Sequence, residues 1–245
     1  MTVTHKPFKM ENTNIKLVVF DIAGTTVKDN GNIADAFINA LNNFGYNAPR
    51  KEVNRLMGYK KPVAISMLLE KFYPGEINKS KNLVEEIHSV FIDTMVEFYE
   101  NDTALLPMDN AEYIFSQLQA NDIKVALNTG FSKKITDTIL KRLGWNKTRL
   151  IDFVISSDEV NNGRPSPEMI IAVMKATGVK NPDHVAKIGD TEVDIMEGRM
   201  AGCGLVVAVS TGAFTRTQLL AYDADAVIDD LSELPLILNT SIFAK

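Results

Sequence analysis

Asp21 ends the apolar run Leu17-Val18-Val19-Phe20, and a polar segment carrying Gly24, Thr25 and Thr26 follows it. A carboxylate delivered by the end of a rigid strand can act as nucleophile, base or metal ligand, and it can equally cap the next element. Three more polar groups stand at the ends of apolar runs: Thr129-Gly130, the segment Gly163-Arg164-Pro165-Ser166-Pro167, and Gly189-Asp190-Thr191 with Asp194 four residues past Asp190. That collection suits phosphoryl transfer. Asp21 and Asp190 offer carboxylate oxygens to Mg²⁺, and the Ala23 backbone carbonyl could add a third protein oxygen. The Thr129 hydroxyl and the N–H groups after it can bind phosphate oxygens at a helix start. Arg164 supplies a permanent positive charge for the charge spread over a transferring group. Each residue alone has a plainer role: Thr129 as a helix cap, Arg164 as a surface charge, Asp194 as a first-turn carboxylate favoured by the helix dipole. Their recurrence at successive strand ends favours a shared site.

The elements that must position them fall into two textures. Residues 33–103 read as helical. Ile33, Ala36, Phe37, Ala40, Leu41 and Phe44 trace one apolar face, and Val53, Leu56 and Met57 suggest a short helix that Gly58 ends. A third helix begins at Pro62 and carries Ile65, Leu68, Leu69 and Phe72; a fourth, over 80–100, turns Val84, Ile87, Val90, Phe91, Met95 and Phe98 inward. From 105 onward strands and helices alternate. The strands are expected at 124–128, 153–156, 185–189, 205–209 and 226–228. The helices are expected at 110–120, 132–143 with Ser132 as cap, after Pro165, at 192–201 and at 215–221. The spacing predicts an α/β fold, a doubly wound parallel sheet with a Rossmann-like core and an inserted α-helical cap domain. The core is expected to hold 15–30 and 105–238 and the cap 31–104, with 1–14 and 239–245 as tails.

Bulk properties narrow the function classes. The 245 residues are 45% hydrophobic and 23% charged, ordinary for a globular chain, and the net charge of -5 argues against nucleic acid as a partner. Lys133, Lys134, Lys141 and Arg142 recur at helical spacing and read as a solvated face. Cys203 is the one cysteine, which excludes a disulfide framework, and His5, His88 and His184 have no ligand spacing. Residues 1–14 have no apolar core of a signal peptide, and no apolar run is long enough to span a bilayer, so a cytoplasmic location without membrane contact is expected.

The tracts Asp21-Ile22-Ala23-Gly24-Thr25-Thr26, Thr129-Gly130, Arg164-Pro165-Ser166-Pro167 and Gly189-Asp190-Thr191-Glu192-Val193-Asp194 resemble the four ordered motifs of the haloacid dehalogenase superfamily. The resemblance runs from Lys16 to about Leu238 and includes a helical cap inserted after the first motif. It implies that Asp21 attacks phosphorus to form an aspartyl-phosphate, with Mg²⁺ held by Asp21, the Ala23 carbonyl and Asp190, and Asp194 supporting the metal shell. It also implies that Thr129, Gly130 and Arg164 bind the phosphoryl group and that Thr25 contacts substrate. A homodimer through the caps is a further implication.

Two positions depart from the common phosphatase pattern. Ala23 stands where most members carry a second aspartate as general acid and base, and Arg164 stands where they usually carry lysine. Both departures resemble the phosphonoacetaldehyde hydrolase (phosphonatase) branch, as does the tract 190–202. Alanine cannot protonate a leaving alkoxide, so an ordinary phosphomonoester is a poor substrate for such a site. The branch avoids the difficulty by condensing a cap lysine with the substrate aldehyde, so that the protonated imine accepts the electrons of the breaking C–P bond. Its Met-Gly-x-x-Lys segment is matched by Met57-Gly58-Tyr59-Lys60-Lys61, which places Lys61 as the imine-forming residue and Met57 and Gly58 beside the substrate. Lys61 immediately precedes Pro62 at a helix start, which would lower its pKa, and Lys60 adds some repulsion. The histidine that follows this lysine by three residues in the branch is Ala64 here, and His88 is not expected to reach the site. The expected substrate is a small phosphonylated or phosphorylated compound. A phosphatase of small monoesters and a non-catalytic phosphate-ligand-binding protein are the alternatives.

Overall fold

The structure, a computed structural model, describes residues 14–240 apart from 79, 81, 102 and 104, so the sequence-predicted tails lie mostly outside the described residues. Six parallel strands form one sheet in the order β3-β2-β1-β4-β5-β6. They are β1 Leu17–Phe20, β2 Lys124–Thr129, β3 Phe153–Ser156, β4 Val185–Gly189, β5 Leu205–Val209 and β6 Ala226–Ile228. Every residue of β1 and of β4 is buried, which is why β1 reads as an unbroken apolar run and β4 as one interrupted only by Lys187. Val18 and Phe20 enter the apolar core on one face of the sheet, and Leu17 and Val19 enter the core on the other.

The winding sets the site. β1 lies between β2 and β4, with Phe20 paired to Leu127 on one side and Ile188 on the other. The chain moves outward to β2 and β3, then returns across β1 to continue through β4, β5 and β6. That reversal opens a crevice beyond the carboxyl ends of β1 and β4. Asp21 and Asp190 are the first residues past those two strands. The Asp21 N–H donates to the Ile188 carbonyl at 2.9 Å, extending the ladder by one residue and holding the carboxylate at the crevice.

Five helices intervene between β1 and β2, and the first four form the cap: α1 Asn32–Asn42, α2 Arg50–Asn54, α3 Lys61–Phe72 and α4 Leu83–Asn101. The two linkers that carry this cap run side by side. The Lys28 N–H donates to the Leu106 carbonyl at 3.1 Å and the Met108 N–H to the Thr26 carbonyl at 2.8 Å. Ile87, Phe91, Met95 and Tyr99 recur every four residues and form the buried stripe of α4. Phe91 meets Phe37 of α1 edge-to-face at 5.7 Å and Phe131 of the core at 6.4 Å, so one aromatic side chain packs both within the cap and against the core.

The remaining helices are α5 Ala111–Ala120, α6 Lys133–Leu143, α7 Glu168–Thr177, α8 Glu192–Met200, α9 Arg216–Leu219 and α10 Leu234–Thr240. Three details differ from the sequence expectations. α2 ends at Asn54, and Leu56 and Met57 belong to a turn that Gly58 closes at φ +84°. The run 234–240 is a helix, although its short apolar pattern has no period long enough to announce one. Ser132 occupies the position before α6 without capping it: its buried Oγ has no hydrogen-bond partner, while the Lys133 N–H donates to Asp158 Oδ1 at 2.8 Å. The basic face of α6 is solvated as expected, with exposed pairs Lys133–Asp137 and Lys134–Asp93. No helix among the described residues is long and apolar enough to cross a membrane.

Candidate active site

The crevice continues into a small cavity between core and cap. Asp21, Ala23, Thr129, Gly130 and Asp190 line it from the core, and Met57, Gly58 and Lys61 from the cap. Eight of the expected site residues thus meet at one place. Thr25, Arg164 and Asp194 do not line it, and their bonds say why.

Arg164 is 1% exposed, and each of its guanidinium nitrogens is engaged. Nη1 lies 2.6 Å from Asp21 Oδ1 and 2.9 Å from Asp194 Oδ1. Nε donates to Glu197 Oε2 at 3.0 Å, and Nη2 donates to the carbonyl and the side-chain oxygen of Asn128, both at 2.6 Å. A guanidinium has five N–H donors, and four of the acceptors around it are hydrogen-bonded, with Asp194 Oδ1 at ion-pair distance. In this arrangement Arg164 orients and neutralises the carboxylates behind the cavity.

Asp194 belongs to the same cluster. Its Oδ1 faces Arg164 and Lys187 Nζ, the latter at 2.9 Å, without a well-aligned hydrogen bond, and its Oδ2 accepts from the Thr191 hydroxyl at 2.5 Å and the Thr191 N–H at 3.2 Å. It braces the site from behind the cavity. Thr25, fully buried, donates its hydroxyl to Asp190 Oδ1 at 3.1 Å and so positions that carboxylate.

Sequence reasoning missed Lys187, Glu197 and Asn128. Lys187 Nζ donates to Asn128 Oδ1 at 2.9 Å, and the Asn128 amide donates to both oxygens of Glu197 at 2.9 Å. Two of the three left a trace. A lysine inside the buried strand Val185–Gly189 requires an internal partner, and Glu197 follows Asp194 by three residues on one face of α8.

Burial and charge shape the carboxylates differently. Burial pushes Asp21 from an ordinary 3.8 up to about 6, with Arg164 pulling down and Asp194 pushing up. Burial also raises Asp190 well above its ordinary value, and the Asp21 and Asp194 charges add to the effect. Burial raises Asp194 too, but Arg164 and Lys187 outweigh it and hold that carboxyl low. Four buried carboxylates (Asp21, Asp190, Asp194, Glu197) face three buried cations (Arg164, Lys187 and, from the cap, Lys61), so carboxylates are in excess and a bound cation is favoured. A Cβ at Gly212 would stand 1.9 Å from Asp190 Oδ2, so bare backbone there gives the carboxylate its room. Among the described residues no group of three or more acidic, histidine or cysteine side chains forms a metal cage. Two carboxylates and a backbone carbonyl, with positions left for water, fit Mg²⁺.

Lys61 opens α3 and is 3% exposed. Its Nζ donates to the Tyr59 carbonyl at 3.3 Å and lies 5.9 Å from the Phe91 ring centre and 5.6 Å from that of Phe131. Burial takes its pKa from 10.5 down to about 8, against an upward pull from Asp21 and with a downward push from Arg164. The lowering is as expected, but desolvation leads it, where the helix start was expected to lead with some repulsion from Lys60. Lys60 points away, its Nζ donating to the Val160 and Asn161 carbonyls of the core at 3.1 Å each. Two glycines let the cap turn seat this closely. A Cβ at Gly130 would stand 2.5 Å from the Gly58 carbonyl oxygen, and one at Gly58 would stand 2.6 Å from Thr191 Oγ1. His88 does not line the cavity.

The model of the haloacid dehalogenase-like hydrolase family matches residues 15–202. A phosphonoacetaldehyde hydrolase of Latilactobacillus sakei is 28% identical over 262 residues, covering 92% of this chain and 96% of the relative. One from Bacillus mycoides is 32% identical over 225 residues, covering 85% and 82%. Among solved structures, a phosphonoacetaldehyde hydrolase-like protein from Oleispira antarctica superposes with a TM-score of 0.80 at 21% identity, covering 98% of this chain and 96% of that one. That likeness speaks for the fold, and the family match speaks for the class of chemistry. Placed beside the crevice at β1 and β4, these matches identify the chain as an enzyme that belongs to the haloacid dehalogenase-like hydrolases.

Proposed function

We propose that this hydrolase cleaves the C–P bond of a small aldehyde-bearing phosphonate of the phosphonoacetaldehyde kind, with Mg²⁺ as cofactor. The observation that carries the reading is the placement of Lys61. A buried lysine, its pKa down at about 8, lines the same cavity as Asp21. A lysine must be neutral to attack a carbonyl, and burial between aromatic rings favours the neutral amine.

Lys61 attacks the substrate aldehyde and, with loss of water, becomes a protonated imine. Asp21 then attacks phosphorus as the C–P bond breaks, and the electron pair of that bond passes through the imine to give an enamine. No acid is needed at the leaving group, which agrees with the methyl of Ala23 on the cavity wall. Water then hydrolyses the aspartyl-phosphate, the enamine carbon takes up the proton so released and returns to the imine, and a second water hydrolyses the imine. Asp21, Asp190 and the Ala23 carbonyl would hold Mg²⁺, which when bound neutralises charge on the phosphoryl oxygens. Thr129 and Gly130 line the cavity where phosphoryl oxygens would lie, and Arg164 and Lys187 favour the ionised form of Asp21.

The test is release of phosphate and acetaldehyde from phosphonoacetaldehyde with Mg²⁺, comparing wild type with Lys61→Arg. Turnover that the variant loses supports the reading, and a wild type without turnover rejects that substrate. A second reading, a phosphatase of small monoesters, is favoured by one observation: no histidine lines the cavity around Lys61. A screen of small phosphate monoesters decides it.

A further inference from the structure

Imine formation needs proton transfer at two points. The alkoxide left by amine attack must be protonated, and the carbinolamine hydroxyl must leave as water. Ala64 stands one turn into α3 with no proton to give, and Ala23 is equally inert. The ionisable residues that line the cavity are Asp21, Asp190, Asp29 and Lys61. Asp21 and Asp190 lie at the strand ends, where the first is bonded to Arg164 and the second to Thr25 and the Ala213 N–H. Asp29 lies in the linker between β1 and α1, on the same cavity wall as Ile33, and its charge is felt at Lys61.

Asp29 is also held in place. Its Oδ1 accepts the Gly31 N–H at 3.0 Å, and the Asn32 and Ile33 N–H groups bear on the same carboxylate. That contact is an ordinary turn at a helix start, and it would exist without catalysis. Two observations go beyond it: the carboxylate shares a small cavity with a buried lysine, and it is the one acid there outside the Asp21–Asp190 pair. Burial raises its pKa, against the backbone N–H groups that lower it, so a proton is more readily held than on a surface aspartate.

We propose that Asp29 is the proton donor and acceptor for imine chemistry at Lys61. This rests on the Schiff-base reading above. Amine attack leaves an alkoxide and an ammonium; Asp29 gives a proton to the alkoxide and takes one back from the nitrogen, which yields the neutral carbinolamine. Protonated Asp29 then gives its proton to the carbinolamine hydroxyl, the C–O bond breaks, water leaves, and the nitrogen lone pair forms the C=N bond of the protonated imine. The carboxylate that remains takes a proton from the water that later adds to the imine carbon, which restores the acid. Oxygen, proton and charge balance at each step, and no further reactant is needed.

The experiment measures how fast full-length wild type, Asp29→Asn and His88→Gln form a borohydride-reducible adduct with acetaldehyde, read by intact mass. Asparagine keeps an oxygen acceptor for the Gly31 N–H, so the start of α1 is preserved, and an unchanged melting temperature verifies this. Asp29→Asn is expected to slow adduct formation by about 100-fold, the range of a general acid–base group. Inorganic phosphate with Mg²⁺ should bind it as it binds wild type. Adduct formation at the wild-type rate in Asp29→Asn overturns the proposal and leaves the Schiff-base reading standing. So does a loss confined to His88→Gln. A wild type that forms no adduct overturns both.

Discussion

Arg164 Nη1 stands 2.6 Å from Asp21 Oδ1, joining a loop after β3 to the carboxylate at the end of β1. The contact fixes the orientation of the proposed nucleophile and opposes the burial that raises its pKa. Arg164 also donates to Glu197 and Asn128 and lies at ion-pair distance from Asp194, so one side chain ties β2 and α8 to Asp21. The Asp21 carboxylate is therefore positioned from behind, by a charge that does not line the cavity.

Arg164→Lys is the direct check on that relationship. Lysine has one nitrogen and three donors, so it cannot reach all the acceptors around Arg164. Leaving buried carboxylates unpaired costs roughly 3–5 kcal/mol. The variant is expected to melt about 10 °C lower, by the usual few degrees per kcal/mol in a chain of this size, and to lose most of its turnover. A variant with wild-type melting would show that the cluster does not hold the fold.

Asp21→Asn separates catalysis from stability. Asp21 titrates near 3.8 in the unfolded chain and about 6 in the folded one. Its contribution is thus fully present below pH 3.8 and is lost as pH rises through 6. Above pH 6 the ionised carboxylate costs up to roughly 3 kcal/mol in the metal-free protein. Asparagine carries no charge, so the metal-free variant should be more stable than wild type at pH 7 and inactive. Chemical denaturation with a chelator present measures the first, and phosphate release the second.

Lys61 makes the opposite pH signature. Its pKa is 10.5 unfolded and about 8 folded, so its contribution is present above pH 10.5 and is lost as pH falls through 8. Against Lys61→Met, wild type should gain stability between pH 8 and 10.5, by roughly 3 kcal/mol across the window. Urea denaturation of the two proteins from pH 7 to 10 reads the difference. A constant gap would mean that Lys61 is not held in a dry environment.

Gly130→Ala tests the seating of the cap. The added methyl would meet two carbonyl oxygens of the cap turn, at 2.5 Å and 2.7 Å, and backbone cannot swing aside. The turn that carries Met57 to Lys61 must then lift. A displacement near 1 Å costs about 100-fold in rate, so kcat/KM should fall by that order while the core keeps its melting transition. Unchanged kinetics would mean that the turn does not seat on Gly130 during turnover.

Much of this was legible in the sequence, and for identifiable reasons. β1 and β4 are buried on both faces, so β1 reads as an apolar run and β4 as one broken only by Lys187, each ended by a carboxylate, and Asp21 and Asp190 could be named before their neighbours were known. The cap helices announced themselves through the four-residue recurrence of Ile87, Phe91 and Met95. What stayed hidden depends on reach across the sheet. Thr25 to Asp190 and Arg164 to Asn128 span more than thirty residues of chain, and no local pattern tells which acceptor a buried donor will meet. Asp29 sits in a turn with Gly31 and Asn32 following it, and only the packing of cap on core places it on the wall with Lys61.

The central claim is that Lys61 forms an imine with the substrate aldehyde. Incubation with phosphonoacetaldehyde and Mg²⁺, followed by borohydride and peptide mapping, tests it most directly. The account predicts one reduced adduct per chain, carried on Lys61, with activity lost in proportion to labelling. No adduct, or an adduct on neighbouring Lys60, would contradict it.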